Sequence, residues 1–160
     1  MKKIHLSTWK KVLIGIAAAC VILAGAFFLY VSDYYRAEGI ALEVSTQAAN
    51  IAVQDNLTIL SPSAPSDTAM IFYPGAKVEA IAYLPLLEQI RQTGITCILV
   101  DMPFHMAIFD ANAAKDVISR FPDVEHWYLA GHSMGGAMAS QFAAGHADEI
   151  DGLILLGAYI

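Results

Sequence analysis

The distribution of apolar and polar residues divides the chain into two parts. Residues 12–31 form an unbroken run without a charged side chain. Beyond residue 50, short apolar runs alternate with stretches in which apolar residues recur every three or four positions. The first pattern is typical of a membrane-spanning helix, and the second of strands that alternate with helices. We therefore expect an apolar N-terminal helix followed by an α/β domain.

The second part predicts a regular series of elements. Buried strands are predicted at residues 68–73, 95–100, 126–130 and 153–157, and helices at residues 78–92, 113–121 and 137–144. Pro85 kinks or divides the first of these helices, and Asn112 caps the second. Residues 50–60 predict a strand or hairpin at a sheet edge. Strands and helices in this order predict a mainly parallel sheet between two layers of helices, a three-layer sandwich.

Basic residues define the orientation of the apolar run. Four of the nine Lys and Arg residues precede it, at positions 2, 3, 10 and 11. The positive-inside rule places this end in the cytoplasm and the α/β domain outside it. We accordingly divide the chain into a basic cytoplasmic tail (1–11), a transmembrane signal anchor (12–31), a spacer with a helix from residue 39 (32–49) and the α/β domain (50–160).

Three other interpretations of the apolar run remain. Ala24-Gly25-Ala26 has the small-x-small form of a signal-peptidase site, which would make the protein secreted. The run continues to Val31, which favours an uncleaved anchor. A lipid attached to Cys20 is a weaker interpretation, because Ala17 is smaller than the aliphatic residue expected there. A buried core helix is disfavoured by the length and the basic flank.

Charge and cysteine content exclude several function classes. After residue 31 there are five Lys and Arg against fifteen Asp and Glu, a net charge of −10. No basic stripe is present to neutralise phosphates, so we expect no nucleic-acid partner. Cys20 lies in the apolar run and Cys97 in a predicted strand, so no intramolecular disulfide is expected. No metal-ligand spacing occurs, and neither a metal nor an organic cofactor is expected.

One motif carries candidate chemistry. Residues 131–135 read G-x-S-x-G with Ser133 at the centre, after a predicted strand and before a predicted helix. A serine on such a sharp turn has its hydroxyl exposed and its backbone strained. Gly131 and Gly135 leave room for the tight turn. We interpret Ser133 as a nucleophile.

A serine nucleophile also requires donors for the developing oxyanion. One is expected to be the backbone N–H of Met134, next to the nucleophile. The second is expected from Ala76 or Lys77, in the loop after the strand 68–73. An alternative for this loop is that Pro74-Gly75 is only a turn. Residues after the strand 95–100 are candidates to line an apolar acyl pocket, namely Met102, Phe104 and His105.

These features together resemble the α/β-hydrolase fold, and more narrowly bacterial membrane-anchored or secreted members of the α/β-hydrolase 5 group. The resemblance covers residues 50–159 and rests on the sequences at 72–76, 99–103, 131–137 and 151–155. It implies that Ser133 attacks an ester or a related acyl bond of a small-molecule substrate. Many relatives have His-Gly where this chain has Pro74-Gly75, so the chain departs from the family pattern at the loop of the second oxyanion donor.

The triad acid and base are the missing part of this resemblance. In the fold, Asp or Glu and then His follow the serine along the chain, after later strands. We therefore expect them beyond Ile160, in a chain that lacks the C-terminal strands and helices of the fold. Of the histidines that could substitute, His105 is the best placed; His126, His132 and His146 are expected to be structural or exposed. The sequence leaves two hypotheses: a membrane-anchored serine hydrolase represented by a fragment, or a non-catalytic anchored binding module. The oligomeric state is not readable.

Overall fold

The computed structural model describes residues 7–47 and 50–158. They divide into two compact units, with the boundary between Asp33 and Tyr34. Residues 1–6, 48–49 and 159–160 lie outside the described part. They include the start of the expected cytoplasmic tail and the end of the expected spacer helix.

The first unit consists of one helix, α1, at Thr8–Ser32. Its 25 residues correspond to about 37 Å at 1.5 Å per residue, which exceeds the roughly 30 Å of a bilayer's hydrocarbon core. It is the one helix in the described residues that is long and apolar enough to cross a membrane. A membrane anchor and a signal sequence share this length and composition.

The second unit contains a six-stranded sheet with the order β1-β2-β4-β3-β5-β6. The strands are β1 Ile51–Gln54, β2 Leu57–Leu60, β3 Thr68–Tyr73, β4 Thr96–Val100, β5 His126–His132 and β6 Gly152–Leu156. The first two form the expected hairpin and add antiparallel to β4, whereas β4, β3, β5 and β6 run parallel. The expected mainly parallel sheet is therefore confirmed.

Helices cover both faces of this sheet. They are α2 Ile40–Gln47, α3 Leu84–Arg91, α4 Ala113–Arg120 and α5 Met134–Gly145. Successive residues of each strand point to opposite faces. Ile71 and Leu129 therefore pack in the cluster with α4 and α5, whereas Phe72 and Ala130 pack in the cluster with α3. This arrangement is the expected three-layer sandwich.

The predicted helix at 78–92 is divided, which is one of the two outcomes expected from Pro85: a 3₁₀ turn at Ala80–Tyr83 precedes α3, with Pro85 in the first turn of α3, where proline fits. The prediction for Asn112 needs correction. Asn112 stands at the start of α4, but its side chain makes no capping hydrogen bond, because its φ of −97° and ψ of 10° lie outside the extended region that a capping residue uses. Instead, the Tyr73 hydroxyl accepts a hydrogen bond from the Ala114 N–H at 2.6 Å.

Most of the expected spacer falls in the second unit. Residues 34–47 belong to that unit, and the helix α2 lies where the spacer helix is expected. Ala37 and Ala41 are buried, and Val44 packs against the cluster that contains α3. The small and apolar residues of this segment fit against the α3 side of the sheet, so the compact domain begins at Tyr34.

Candidate active site

The carboxyl ends of the parallel strands meet at one edge of the sheet. Tyr73 ends β3 and pairs in register with Gly131, while His132 at the end of β5 pairs with Leu156 of β6. In open α/β sheets, ligands bind at this edge. The loops that follow these strands therefore form the candidate site.

Ser133 lies at the turn from β5 to α5, with a φ of 50° and a ψ of −120°. This is a conformation that L-residues rarely adopt, and it costs of order 1–3 kcal/mol. The Ser133 N–H donates to the Leu156 carbonyl at 2.9 Å, and the Ser133 carbonyl accepts from the Ala137 N–H at 3.1 Å. Both bonds hold the strained turn, and the side chain is exposed.

Two glycines make this turn sterically feasible. A Cβ on Gly131 would lie 2.6 Å from the backbone nitrogen of Gly136. A Cβ on Gly135 would overlap the carbonyl oxygens of Tyr73 and Pro74. The start of α5 therefore packs directly against the end of β3, which brings Ser133 beside the turn that follows β3.

That turn, residues 75–78, is held by several hydrogen bonds of its backbone. The Gly75 N–H donates to the Tyr83 hydroxyl at 3.0 Å, and the Gly75 carbonyl accepts from the Val78 N–H at 3.3 Å. The Lys77 N–H donates to the His105 carbonyl at 2.7 Å. Among the described residues, no backbone carbonyl accepts from the Ala76 N–H. Of the two expected oxyanion donors in this turn, Ala76 is therefore the remaining candidate, because the Lys77 N–H is already hydrogen-bonded.

The other expected donor, the Met134 N–H, lies at the N-terminus of α5. The first N–H groups of a helix have no intrahelical partner and carry the positive end of the helix dipole. Met134 is the first residue of α5 and directly follows Ser133. A pocket of about 220 Å³ opens beside these two residues. It is lined by Ser133, Met134, Ala137, Gly157 and Ala158.

The expected pocket residues do not line this pocket. Met102 is buried in the core cluster beneath α4 and α5. Phe104 is 44% exposed and stacks edge-on against Phe109. The ring of His105 lies 4.0 Å from that of Tyr34. All three follow β4, as expected, and two 3₁₀ turns lie in this segment, at Pro103–His105 and Ala107–Phe109.

The histidines have other partners. His132 Nδ1 lies 2.8 Å from the Tyr83 hydroxyl. Because this hydroxyl already accepts from the Gly75 N–H, we assign its own proton to the bond with His132, in which Nδ1 is the acceptor. Burial raises the pKa of Tyr83, which keeps the hydroxyl protonated. His132 thus supports the turn after β3.

The remaining candidates lie away from the nucleophile. His126 Nδ1 is 3.5 Å from an oxygen of Asp151, and this carboxylate accepts from the Trp127 N–H at 2.8 Å. Both lie at the opposite edge of the sheet, where β5 and β6 begin. His146 stacks on Phe142 at 4.0 Å. In the part of the chain that the structure describes, no side chain is hydrogen-bonded to the Ser133 hydroxyl, and no group of His, Cys, Asp and Glu is placed to hold a metal.

Sequence reasoning missed the role of Tyr83 and the pocket residues Gly157 and Ala158. Tyr83 has the spacing of an ordinary core residue in a helix, and nothing in the sequence indicates that its hydroxyl bonds to Gly75 and His132. Gly157 follows β6 with a φ of 55° and therefore turns the chain across the pocket.

Comparisons with known proteins agree with this geometry. The model of the alpha/beta hydrolase family matches residues 69–160. Among solved structures, MenH from S. aureus aligns with a TM-score of 0.56 and 17% identity, over 66% of this chain and 43% of that one. A monoacylglycerol lipase from Paleococcus ferrophilus aligns with a TM-score of 0.56 and 18% identity, over 64% of this chain and 42% of the lipase.

A third solved structure extends further along the chain. A bacterial membrane phospholipase A aligns with a TM-score of 0.51 and 20% identity, over 94% of this chain and 52% of the phospholipase. At these identities the similarity shows the fold alone. The chain thus spans about half or less of each of these proteins. A comparison with curated protein sequences gives no match.

Proposed function

Because the chain belongs to the alpha/beta hydrolase family, we propose that it is a serine hydrolase that cleaves an ester or a related acyl bond through an acyl-enzyme on Ser133. The observation that carries this proposal is the backbone of Ser133, whose φ of 50° and ψ of −120° expose its hydroxyl at the carboxyl edge of the sheet. Strain of this size persists where the surroundings impose it, and it clusters at active sites.

The proposed reaction follows from the groups around Ser133. Its Oγ attacks the substrate carbonyl while a base removes the hydroxyl proton. The carbonyl oxygen becomes an oxyanion, which accepts from the N–H groups of Met134 and Ala76. Collapse of this intermediate releases the alcohol, which takes the proton from the base, and water then hydrolyses the acyl-enzyme. Each oxyanion donor is worth roughly 10²–10³ in rate.

The acid and base of the triad form a separate part of the proposal. In this family they follow the serine along the chain, after later strands. The described residues place no histidine at the Ser133 hydroxyl, and the chain spans 42–52% of the three solved structures named above. We propose that sequence following β6 contributes both groups, and that residues 69–158 hold the nucleophile and the oxyanion donors.

A membrane location is the second part of the proposal. α1 acts as an uncleaved anchor with residues 1–11 in the cytoplasm, and the hydrolase unit lies on the other side. The support is its length, its lack of charge between residues 12 and 31, and the four lysines before it. Alkaline carbonate extraction should leave the protein in the membrane fraction. A mature N-terminus at residue 27 would instead support the secreted form.

A fluorophosphonate probe tests the nucleophile. Membranes from cells that express the natural gene product should show a labelled band, and tryptic mass spectrometry should place the probe on Ser133. The variant Ser133→Ala should lose the label, whereas Ser140→Ala, a serine inside α5, should keep it. Labelling that is independent of Ser133, or absent from the parent, refutes the hydrolase proposal. It would favour the second candidate, a non-catalytic anchored binding module, which the absence of a bound histidine at Ser133 in the described residues supports.

A further inference from the structure

The segment that directly follows α1 runs alongside the turn after β3. Tyr35 forms a parallel bridge with Val78. The Tyr35 N–H donates to the Lys77 carbonyl at 2.7 Å, and the Tyr35 carbonyl accepts from the Glu79 N–H at 2.8 Å. We call residues 34–37 the strap. It pairs with the turn through this isolated bridge, outside the six strands of the sheet.

The Glu79 side chain adds a hydrogen bond between the strap and the turn. The Ala37 N–H donates to Glu79 Oε2 at 2.7 Å, and Ala37 is only 6% exposed. A charge-assisted bond to a half-buried carboxylate is stronger than a neutral one. Three hydrogen bonds therefore join the strap to residues 77–79, and all three involve alternate strap residues, Tyr35 and Ala37. Arg36, between them, makes none of these bonds.

The strap completes the restraint on the Lys77 peptide. The Lys77 N–H donates to the His105 carbonyl, and the Lys77 carbonyl accepts from the strap. Lys77 has a φ of 56°, a left-handed conformation that a residue with a side chain seldom adopts. The Lys77 carbonyl shares a peptide plane with the Val78 N–H, which donates to the Gly75 carbonyl at 3.3 Å. The Gly75 carbonyl in turn shares a peptide plane with the Ala76 N–H, so these bonds restrain the direction of that N–H.

We infer that the strap is a positioning element of the oxyanion hole: it holds the turn 75–78 so that the Ala76 N–H points toward the site beside Ser133. The strap itself does not touch the substrate. This inference rests on the proposed hydrolase function. Its physical basis is preorganisation, since a donor fixed before the reaction costs no reorganisation when the oxyanion develops.

On this inference Tyr35 and Ala37, which follow the apolar helix, are positioning residues. Asp33 alone separates the end of α1 at Ser32 from the strap. Cleavage after Ala26 would leave the strap in place, so the anchored and the secreted forms both retain it. Proteolysis after Ala37 would remove it. We expect the first cut to preserve reactivity at Ser133 and the second to lower it.

Two proline variants test the inference with a matched control. Tyr35→Pro removes the N–H that binds the Lys77 carbonyl, whereas Arg36→Pro removes an N–H that makes none of the strap bonds and favours an extended conformation at Tyr35. The second-order rate constant for fluorophosphonate labelling of Ser133 should fall at least about tenfold in Tyr35→Pro and stay within about twofold in Arg36→Pro. Equal rates in the two variants overturn the inference.

A second pair serves if Tyr35→Pro does not fold. Glu79→Ala removes the acceptor for the Ala37 N–H, and Glu79→Gln keeps an acceptor oxygen of the same reach. Slow labelling in Glu79→Ala with recovery in Glu79→Gln supports positioning. A purely structural role would lower the melting temperature without changing the rate constant measured well below it, and that result would contradict the inference.

Hydrogen exchange separates this inference from the hydrolase proposal. Peptides that cover residues 75–79 should exchange faster in Tyr35→Pro than in Arg36→Pro, whether or not Ser133 reacts. If the parent protein is not labelled, the hydrolase proposal fails. If, in addition, residues 75–79 exchange equally fast in the two variants, the strap does not hold the turn, and the strap inference fails too. If the parent is labelled but exchange and labelling rates match in both variants, only the strap inference fails.

Discussion

The strained backbone at Ser133 predicts that removing its side chain altogether stabilises the protein. At a φ of 50° and a ψ of −120°, a residue with a Cβ pays of order 1–3 kcal/mol, and glycine does not. Glycine also loses about 0.4–1 kcal/mol more conformational entropy on folding. The exposed hydroxyl contributes little packing, so the net change for Ser133→Gly is a stabilisation of about 1 kcal/mol. For a unit of this size, that corresponds to a rise of roughly 4 °C in melting temperature.

A neighbouring serine provides the matched control. Ser140 lies inside α5, where the backbone is helical and glycine costs about 0.5–1 kcal/mol. Thermal unfolding followed by circular dichroism in a mild detergent should therefore show opposite shifts, upward for Ser133→Gly and downward for Ser140→Gly. Ser133→Ala keeps the Cβ and should remain close to the parent.

The stabilised variant should also be inactive. Ser133→Gly lacks the nucleophile, so it should not react with the fluorophosphonate probe, whereas Ser140→Gly should. Stability gained where reactivity is lost is the expected compromise at a strained active site. If Ser133→Gly lowers the melting temperature as much as Ser140→Gly does, Ser133 carries no strain, and the observation behind the proposed function loses its physical meaning.

Two further changes test the packing around the site and the core. Gly135→Ala should destabilise the protein by at least about 2 kcal/mol in urea unfolding, because its Cβ would overlap the Tyr73 carbonyl. Gly145→Ala is the control: open space surrounds this position, so the change should be neutral or slightly stabilising. Equal effects of the two changes would contradict the close packing of α5 on β3. Burial raises the pKa of Cys97 to about 12, so above about pH 9 the folded state holds a proton that the unfolded state releases, and stability falls as pH rises. In a Cys20→Ser background, the loss between pH 8 and 10 should be about 2 kcal/mol smaller in Cys97→Ala, and an unchanged loss would refute this assignment.

The order of elements was readable because it depends on local patterns. β3 begins and ends where the apolar run does, and the strand–serine–helix sequence around Ser133 predicts the turn that the structure contains. These features follow from the period of the apolar residues and from the glycines at 131 and 135. Capping was less readable: Asn112 fits the start of α4, but the Tyr73 hydroxyl occupies its place as acceptor.

Contacts between segments that are distant in the chain could not be predicted from the sequence. Met102, Phe104 and His105 follow β4 as expected, yet Met102 packs in the core, Phe104 contacts Phe109 and His105 contacts Tyr34. The Tyr83 hydroxyl reaches Gly75 and His132 only because the 3₁₀ turn before α3 places it there. Hydrogen bonds of this kind depend on side-chain direction, which residue spacing does not determine.

The succession of strands and helices along the chain, the apolar helix and the serine at the turn could be predicted from the sequence, because each depends on the periodicity and composition of neighbouring residues. The sequence did not indicate that the Lys77 N–H is already hydrogen-bonded or that residues 34–37 belong to the second compact unit; these two facts came from the structure. The physical reason is that a main-chain hydrogen bond is made by groups common to every residue. A sequence therefore carries no sign of which distant carbonyl will accept from the Tyr35 or the Lys77 N–H until the fold brings them together.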